Sequence, residues 1–181
     1  ASAVSCCSSM VRLYTVAMQI GNRFALSLPL ADAWPLLSDL GRVAPLMPGV
    51  QVENADDEGL HAKMRVKVGP VTVSYKMLVV TESLDEQTHT AVLRATGREV
   101  RGQGTVSAKV TAKLNEADGG TVVELTTDLD VTGRVAQFGG GVMQEVADRL
   151  LQQFVKKLET DLTKEPEQPA AGDAAPQAGK D

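Results

Sequence analysis

Aromatic side chains are scarce in this 181-residue chain, at 3% of all residues. They are the bulkiest side chains that a protein uses to fill its interior. The scarcity leaves two interpretations open: a core packed with aliphatic side chains, or an interior that contains empty space. The six aromatic residues are Tyr14, Phe24, Trp34, Tyr75, Phe138 and Phe154.

Cysteine is also rare, since Cys6 and Cys7 are the only two and are adjacent. Neighbouring cysteines do not easily form an unstrained disulfide. No second cysteine pair or nearby histidine completes a zinc site, so the sequence predicts no metal centre. The pattern favours a reducing compartment.

Long hydrophobic runs are missing too. No stretch approaches the ~20 apolar residues that span a bilayer, so we expect any membrane contact to be peripheral. The net charge of −5 argues against nucleic acid as the main partner, because phosphate binding needs a basic surface. With 43% hydrophobic residues, the length suits one domain with a sizeable core.

The two ends of the chain differ in composition from its centre. Residues 1–17 are Ser-rich and are interpreted as a leader or cloning remnant, expected to be disordered. Residues 163–181 contain Pro, Ala, Gly and charged residues without periodicity, which predicts a disordered polar tail. Residues 18–162 are interpreted as one ligand-binding domain.

Within this domain the hydrophobic periodicity changes from strand to helix and back. Alternation predicts a first strand at Gln19–Leu28, followed by short helices at Ala31–Leu40 and Gly41–Met47. A stripe with a four-residue spacing predicts a long helix at Val135–Leu162. This order predicts an α+β, helix-grip fold: a curved antiparallel sheet of about seven strands wrapped around the long C-terminal helix. The six further strands are predicted at Val50–Ala55, Leu60–Val68, Val71–Leu84, His89–Thr96, Thr105–Asn115 and Thr121–Val131.

The strand positions predicted to face the long helix are apolar, and many are small. A curved sheet lined by Ala, Val and Thr is hard to fill to normal interior density, which favours a cavity for a large apolar ligand. The alternative is that sheet and helix approach each other closely. The predicted ligand-contacting residues are Leu37, Leu46, Met47, Met64, Val66, Tyr75, Met77, Leu93, Val106, Ala108, Leu125, Phe138, Val142, Met143, Val146 and Leu150.

Catalysis needs convergent ionisable groups, and none is predicted inside this cavity. The strand register places His61 on the outer face and His89 in a turn. Tyr75 and Thr127 are the only polar side chains predicted at inward strand positions. Tyr75 is able to hydrogen-bond a ligand carbonyl or hydroxyl, but it is at least equally well explained as a structural tyrosine.

Two segments are candidates for the cavity entrance. The loop at Pro45–Gly49 is apolar and is expected to reach a lipid head-group region. Three glycines, Gly139–Gly141, lie at the start of the long helix, where each costs about 1 kcal/mol relative to Ala. Either the first turn bends or opens beside Phe138, Val142 and Met143, or the glycines are a linker and the helix begins at Val142.

Three segments together resemble the CoxG family of carbon monoxide dehydrogenase subunits, which belongs to the START-like SRPBCC superfamily. They are Lys67–Val71 (KVGPV), Met47–Val50 (MPGV) and Gly133–Gly139 (GRVAQFG). The likeness covers about residues 18–162. The triple glycine departs from the family, which more often has a single Gly followed by bulkier residues.

The resemblance implies a non-catalytic accessory subunit that links a molybdenum-containing CO dehydrogenase-type enzyme to the cytoplasmic membrane, on its inner face. It also implies a quinone ligand, and menaquinone suits an elongated apolar cavity. Two alternatives remain: an adaptor for proteins or membranes without a ligand, and an enzyme similar to polyketide cyclases of the same superfamily.

Overall fold

The computed structural model of the protein describes residues 15–164. In chain order its strands and helices are β1 Thr15–Leu26, α1 Leu30–Ser38, α2 Leu40–Val43, β2 Val50–Asp56, β3 Gly59–Val68, β4 Val71–Asp85, β5 Thr90–Glu99, β6 Thr105–Ala117, β7 Gly120–Thr132 and α3 Gly139–Lys164. Short 3₁₀ turns at Ala44–Leu46 and Arg134–Phe138 follow α2 and precede α3.

The seven strands form one antiparallel sheet with the order β1-β7-β6-β5-β4-β3-β2. From β2 to β7 each strand pairs with the next along the chain, and β1 pairs with β7. β-Bulges interrupt the register between Thr81 and Ser83 and between Val52 and Asn54. Because a bulge bends its strand, these irregularities contribute to the curvature of the sheet. The predicted curved sheet with a long C-terminal helix is confirmed.

The predicted inward register is also confirmed on the strands that flank the β3–β4 turn. Val68 and Val73 are each 2% exposed, whereas Lys67 and Thr72, the residues that directly precede them, are exposed. The alternation follows from the two-residue period of a strand, which sends successive side chains to opposite faces.

The two short helices between β1 and β2 begin where the sequence contains turn-forming residues. Pro29 precedes α1, where its missing amide hydrogen costs nothing, and Ala33 and Leu36 bury the inner face of that helix. The Asp39 carboxylate accepts a hydrogen bond from the Gly41 amide at 3.0 Å and so caps α2.

The start of α3 decides between the two interpretations of the triple glycine. Gly139 has a φ of +76°, which a continuous helix from Val135 does not allow, so residues 134–138 form a separate 3₁₀ turn. Gly140 and Gly141 lie in the first turn of α3 and are not a linker before Val142.

Two clusters of buried residues hold α3 against the sheet, one near each end of the helix. Met143 joins Val68, Val73 and the first 3₁₀ residues before α3 in one cluster. Phe154 and Leu158 join α1 and the ends of β6 and β7 in the other. Between Met143 and Phe154, α3 adds no buried residue to either cluster, and only the partly buried Val146 and Leu151 pack against them.

The predicted boundaries of the domain shift slightly at both ends. β1 begins at Thr15 rather than Gln19, so Thr15, Val16 and Ala17 of the predicted leader belong to a strand. α3 ends at Lys164 rather than Leu162. The remainder of the predicted leader and tail, residues 1–14 and 165–181, lies outside the described residues.

Candidate functional site

A cavity of about 340 Å³ lies between the middle of α3 and the sheet. Its wall contains 27 residues from β1, the two short helices, β2 to β7 and α3: Asn22, Phe24, Trp34, Leu37, Leu40, Val43, Ala44, Met47, Val50, Leu60, Ala62, Met64, Met77, Val79, Ala91, Leu93, Ala95, Val110, Ala112, Leu114, Val123, Leu125, Thr127, Ala147, Leu150, Leu151 and Phe154. The volume lies within the range of roughly 300–1,000 Å³ that is typical of small-molecule sites.

The cavity exists because the side chains in its wall are too small to reach across it. Six of them are alanines, and α3 contributes Ala147 at the centre of its inward face. The packed clusters at each end of the helix keep α3 from moving closer to the sheet. None of the 27 side chains is charged. The wall is thus suited to an apolar molecule.

The structure brings together seven of the sixteen residues predicted to contact a ligand. They are Leu37, Met47, Met64, Met77, Leu93, Leu125 and Leu150. The other nine lie outside the cavity wall: Leu46, Val66, Tyr75, Val106, Ala108, Phe138, Val142, Met143 and Val146. Most of these nine pack in the cluster at the start of α3, and Leu46 packs against the opposite cluster.

The predicted entrance at Phe138–Met143 does not border the cavity. The Phe138 ring packs over Gly69, where an added Cβ would lie 3.4 Å from its Cε1 atom, and Met143 is 5% exposed. This end of α3 is therefore part of a closed core. Of the two candidate segments, the one that reaches the cavity is the loop at Pro45–Gly49, through Met47.

Tyr75 belongs to the same closed core and not to the cavity wall. It is 6% exposed, which favours the interpretation as a structural tyrosine. It pairs across the sheet with Glu99, whose side chain is 4% exposed. Arg134 donates a hydrogen bond of 2.7 Å to the Glu99 carboxylate and connects the turn before α3 to the end of β5.

Burial raises the pKa of Tyr75 above its ordinary value of 10.0, and the negative charge of Glu99 raises it further, while Arg134 opposes the rise. Because the folded pKa is the higher one, the contribution of Tyr75 to stability is present below pH 10 and is lost as the pH rises through the folded pKa. In a Tyr14→Phe background, we expect ultraviolet titration to place the pKa of Tyr75 above 10.0. Glu99→Gln should lower the midpoint and Arg134→Met should raise it.

An unchanged midpoint in both variants would contradict this account, since burial alone would then set the pKa of Tyr75. Thermal unfolding at pH 7 is the control, because both variants must remain folded for the titration to be interpreted.

One polar group in the cavity wall was not predicted. Asn22 lies on the inward register of β1 with Ile20 and Phe24 and lines the cavity. Its amide nitrogen donates a hydrogen bond of 2.6 Å to the Asp148 carboxylate of α3, which also accepts one of 2.8 Å from Gln144. The alternation of β1 was a sufficient signal for the orientation of Asn22, but its partner is 126 residues away in the sequence.

The outer face of the sheet, unlike the cavity wall, contains charged side chains. It carries five exposed cations: Arg65, Lys67, Lys76, Lys109 and Lys113. A shallow depression of about 500 Å³ lies on this face around Gly97. His61 borders it and contacts Asp56 at 2.9 Å, and neither histidine reaches the cavity wall.

No helix within residues 15–164 combines the length and the apolar character that crossing a bilayer requires.

Comparison with protein families identifies a match over most of the domain. The CoxG family of carbon monoxide dehydrogenase subunits matches residues 23–163. Comparison with curated protein sequences gives no match.

Comparison with solved structures identifies many chains of the same fold. A conserved protein from Geobacillus kaustophilus is 20% identical, with a TM-score of 0.67 over 81% of this chain and 96% of that chain. The Zhui aromatase/cyclase from Streptomyces sp. R1128 is 15% identical, with a TM-score of 0.55 over 87% of this chain and 99% of that chain. Norcoclaurine synthase from Thalictrum flavum is 15% identical, with a TM-score of 0.51 over 84% of this chain and 90% of that chain. Identities this low show the shared fold alone.

Proposed function

The chain belongs to the CoxG family of carbon monoxide dehydrogenase subunits, and from this we propose that it is a non-catalytic accessory protein that binds a hydrophobic lipid in its internal cavity. The observation that carries the proposal is the cavity of about 340 Å³, whose 27 wall residues include no charged side chain. Concave, mainly apolar sites are the typical binding sites of hydrophobic ligands.

The proposed ligand is a quinone of the menaquinone type. The cavity volume is near the lower end of the range for small-molecule sites, so it suits a quinone ring with the first part of its isoprenoid chain. Met47, near the exposed Pro45, lies where the wall meets the apolar loop. The rest of a long chain would leave the cavity on this side, towards a membrane.

The proposed partner is a molybdenum CO dehydrogenase-type enzyme, in keeping with the family description. In this proposal the protein lies at the inner face of the cell membrane and carries quinone between the bilayer and the enzyme. Short apolar loops allow such peripheral contact without a membrane-spanning segment.

The direct test is lipid extraction and mass spectrometry of the purified protein, followed by in vitro uptake of menaquinone. We expect a quinone in the extract, or stoichiometric uptake by protein freed of lipid. A protein that is empty as purified and also fails to take up menaquinone would contradict the carrier function.

The role towards an enzyme needs a separate test. Purified CO dehydrogenase with menaquinone-containing vesicles should reduce quinone faster when this protein is added. No acceleration, despite quinone uptake by the protein, would refute the enzyme link and leave the lipid-binding function intact.

The two alternatives have less support. A filled core would have favoured an adaptor without a ligand, and the cavity removes that reason. The aromatase/cyclase shares the fold, but general acid–base catalysis needs a titratable group within hydrogen-bond reach of the substrate. The 27 described wall residues include no Asp, Glu, His, Lys, Cys or Tyr.

A further inference from the structure

Only two residues in the cavity wall present a side-chain amide or hydroxyl, and they lie on neighbouring strands. Asn22 of β1 pairs with Leu125, and Thr127 of β7 pairs with Ile20, so the two are diagonal neighbours on one face. Diagonal neighbours in an antiparallel pair lie roughly 7 Å apart, close enough for one ring to contact both. The other wall residues are Ala, Val, Leu, Met, Phe and Trp, and among these only Trp34 carries a polar N–H on its side chain.

The Thr127 side chain lines the cavity, and its hydroxyl has no hydrogen-bond partner among residues 15–164. Its cross-strand neighbours are Ile20 and Val110, which offer no polar side-chain atom. A hydroxyl left without a partner in an apolar site costs free energy. A ligand that offers an oxygen at this point recovers that cost, and a hydrocarbon does not.

Asn22, in contrast, is held in one orientation. The Asp148 carboxylate only accepts hydrogen bonds, so the NH₂ group of Asn22 must face it, at 2.6 Å. The Gln144 amide bonds to the same carboxylate oxygen at 2.8 Å and holds Asp148 in place. The Asn22 carbonyl oxygen and its second amide hydrogen are thereby left for another partner. Asp148 is therefore a positioning residue, because its carboxylate fixes the orientation of the Asn22 side chain.

We infer that Thr127 and Asn22 form a polar contact that binds the oxygen-bearing head of an otherwise apolar ligand. The Thr127 hydroxyl donates to a ligand carbonyl, and the Asn22 carbonyl oxygen accepts from a ligand hydroxyl. The same two groups therefore serve the oxidised and the reduced form of a quinone. This inference rests on the proposed lipid-binding function and adds to it a selection for ligands with a carbonyl or hydroxyl over hydrocarbons of the same shape.

The experiment compares two probes that differ only in their oxygens: menadione (2-methyl-1,4-naphthoquinone) and 2-methylnaphthalene. Their affinities are measured for the full chain by quenching of Trp34, which lies in the cavity wall. We expect the unsubstituted protein to prefer menadione. Thr127→Val should weaken menadione binding about tenfold, which corresponds to about 1.4 kcal/mol, and leave 2-methylnaphthalene binding unchanged.

Substitutions at Thr127 itself and at the neighbouring Thr126 serve as matched controls. Thr126→Val makes the same change on the exposed outer face and should alter neither affinity. Thr127→Ser keeps the hydroxyl and should keep the preference, and Thr127→Ala replaces Thr127→Val if the latter does not fold. Asp148→Asn should reduce the ratio of the two affinities by releasing the orientation of Asn22, a readout that a purely structural role would not change.

The affinities of the two probes separate the polar contact from the lipid-binding function. Equal binding of the two probes by the unsubstituted protein, or a preference that survives Thr127→Val and Thr127→Ala, would overturn the polar contact while the cavity function stands. Binding of neither probe would refute the lipid-binding function, and the polar contact with it.

Discussion

Replacing Ala147 by phenylalanine is expected to abolish uptake of a menaquinone-type lipid without unfolding the protein. Ala147 lies in the cavity wall at the middle of α3, between the two packed clusters. A phenyl ring at this position occupies the space of the ligand. Because that space is empty, we expect the free energy of unfolding to change by less than about 1 kcal/mol, which is of the order of the helix-propensity difference. Uptake of quinone per protein, measured by extraction and mass spectrometry, should fall at least about tenfold, since the ring and the ligand exclude each other.

Two further substitutions separate filling of the cavity from other effects of a large ring. Gln152→Phe places the same side chain on the exposed face of α3 and should leave uptake unchanged. Ala33→Phe places it at a position that is 0% exposed within a packed cluster, where overpacking should cost about 1–3 kcal/mol. If Ala147→Phe destabilised the protein as much as Ala33→Phe, or left uptake intact, the cavity would not be the binding site.

Replacing Gly49 by alanine is expected to destabilise the protein strongly. Gly49 has a φ of +77°, which costs a residue with a side chain roughly 1–2 kcal/mol. An added Cβ would also lie 2.2 Å from the backbone oxygen of Arg65, an atom that is fixed within β3. The two effects together should lower the free energy of unfolding by about 3 kcal/mol or more, within the range for strained backbone sites. Urea denaturation measures this change.

The same substitution should also weaken ligand uptake. The Arg65 amide donates a hydrogen bond of 2.8 Å to the Gly49 carbonyl, and this contact connects the loop to the sheet beside Met47 and Val50 of the cavity wall. Gly21→Ala is the matched control, since a Cβ at Gly21 would have nothing within 4 Å and its φ is ordinary. We expect Gly21→Ala to change stability by no more than about 0.5 kcal/mol. If Gly49→Ala were equally harmless, the loop would not be held as described.

The order and type of the elements were predictable from the sequence because they depend on local periodicity. Alternation over two residues set the inward face of most strands, and the stripe on α3 set its buried face. The two ends of the long helix were less predictable. Gly139 interrupts the periodicity at only one residue, and its left-handed φ is a property of the folded backbone.

The candidate site was only partly predictable. Apart from Leu46 and Met47 of the apolar loop, the predicted residues were chosen by the face of the strand or helix on which they lie. Those in the cavity wall share that face with most of those that lie elsewhere. Periodicity tells which side of a strand a residue occupies, but not how far the opposite helix is at that point. Tyr75 and Met77 are neighbours on one face of β4, yet only Met77 reaches the cavity.

The amino-acid sequence alone thus determined that the inward strand positions are apolar, many of them small, and that a long helix covers them. Only the tertiary structure decided where the unfilled space lies, because a cavity results from the sum of all side-chain volumes between sheet and helix. It also decided which polar groups meet there, since Asn22 and Asp148 are brought together by the pairing of β1 with β7 and the return of α3 across both. Local patterns carry no information about contacts between residues so far apart in the chain.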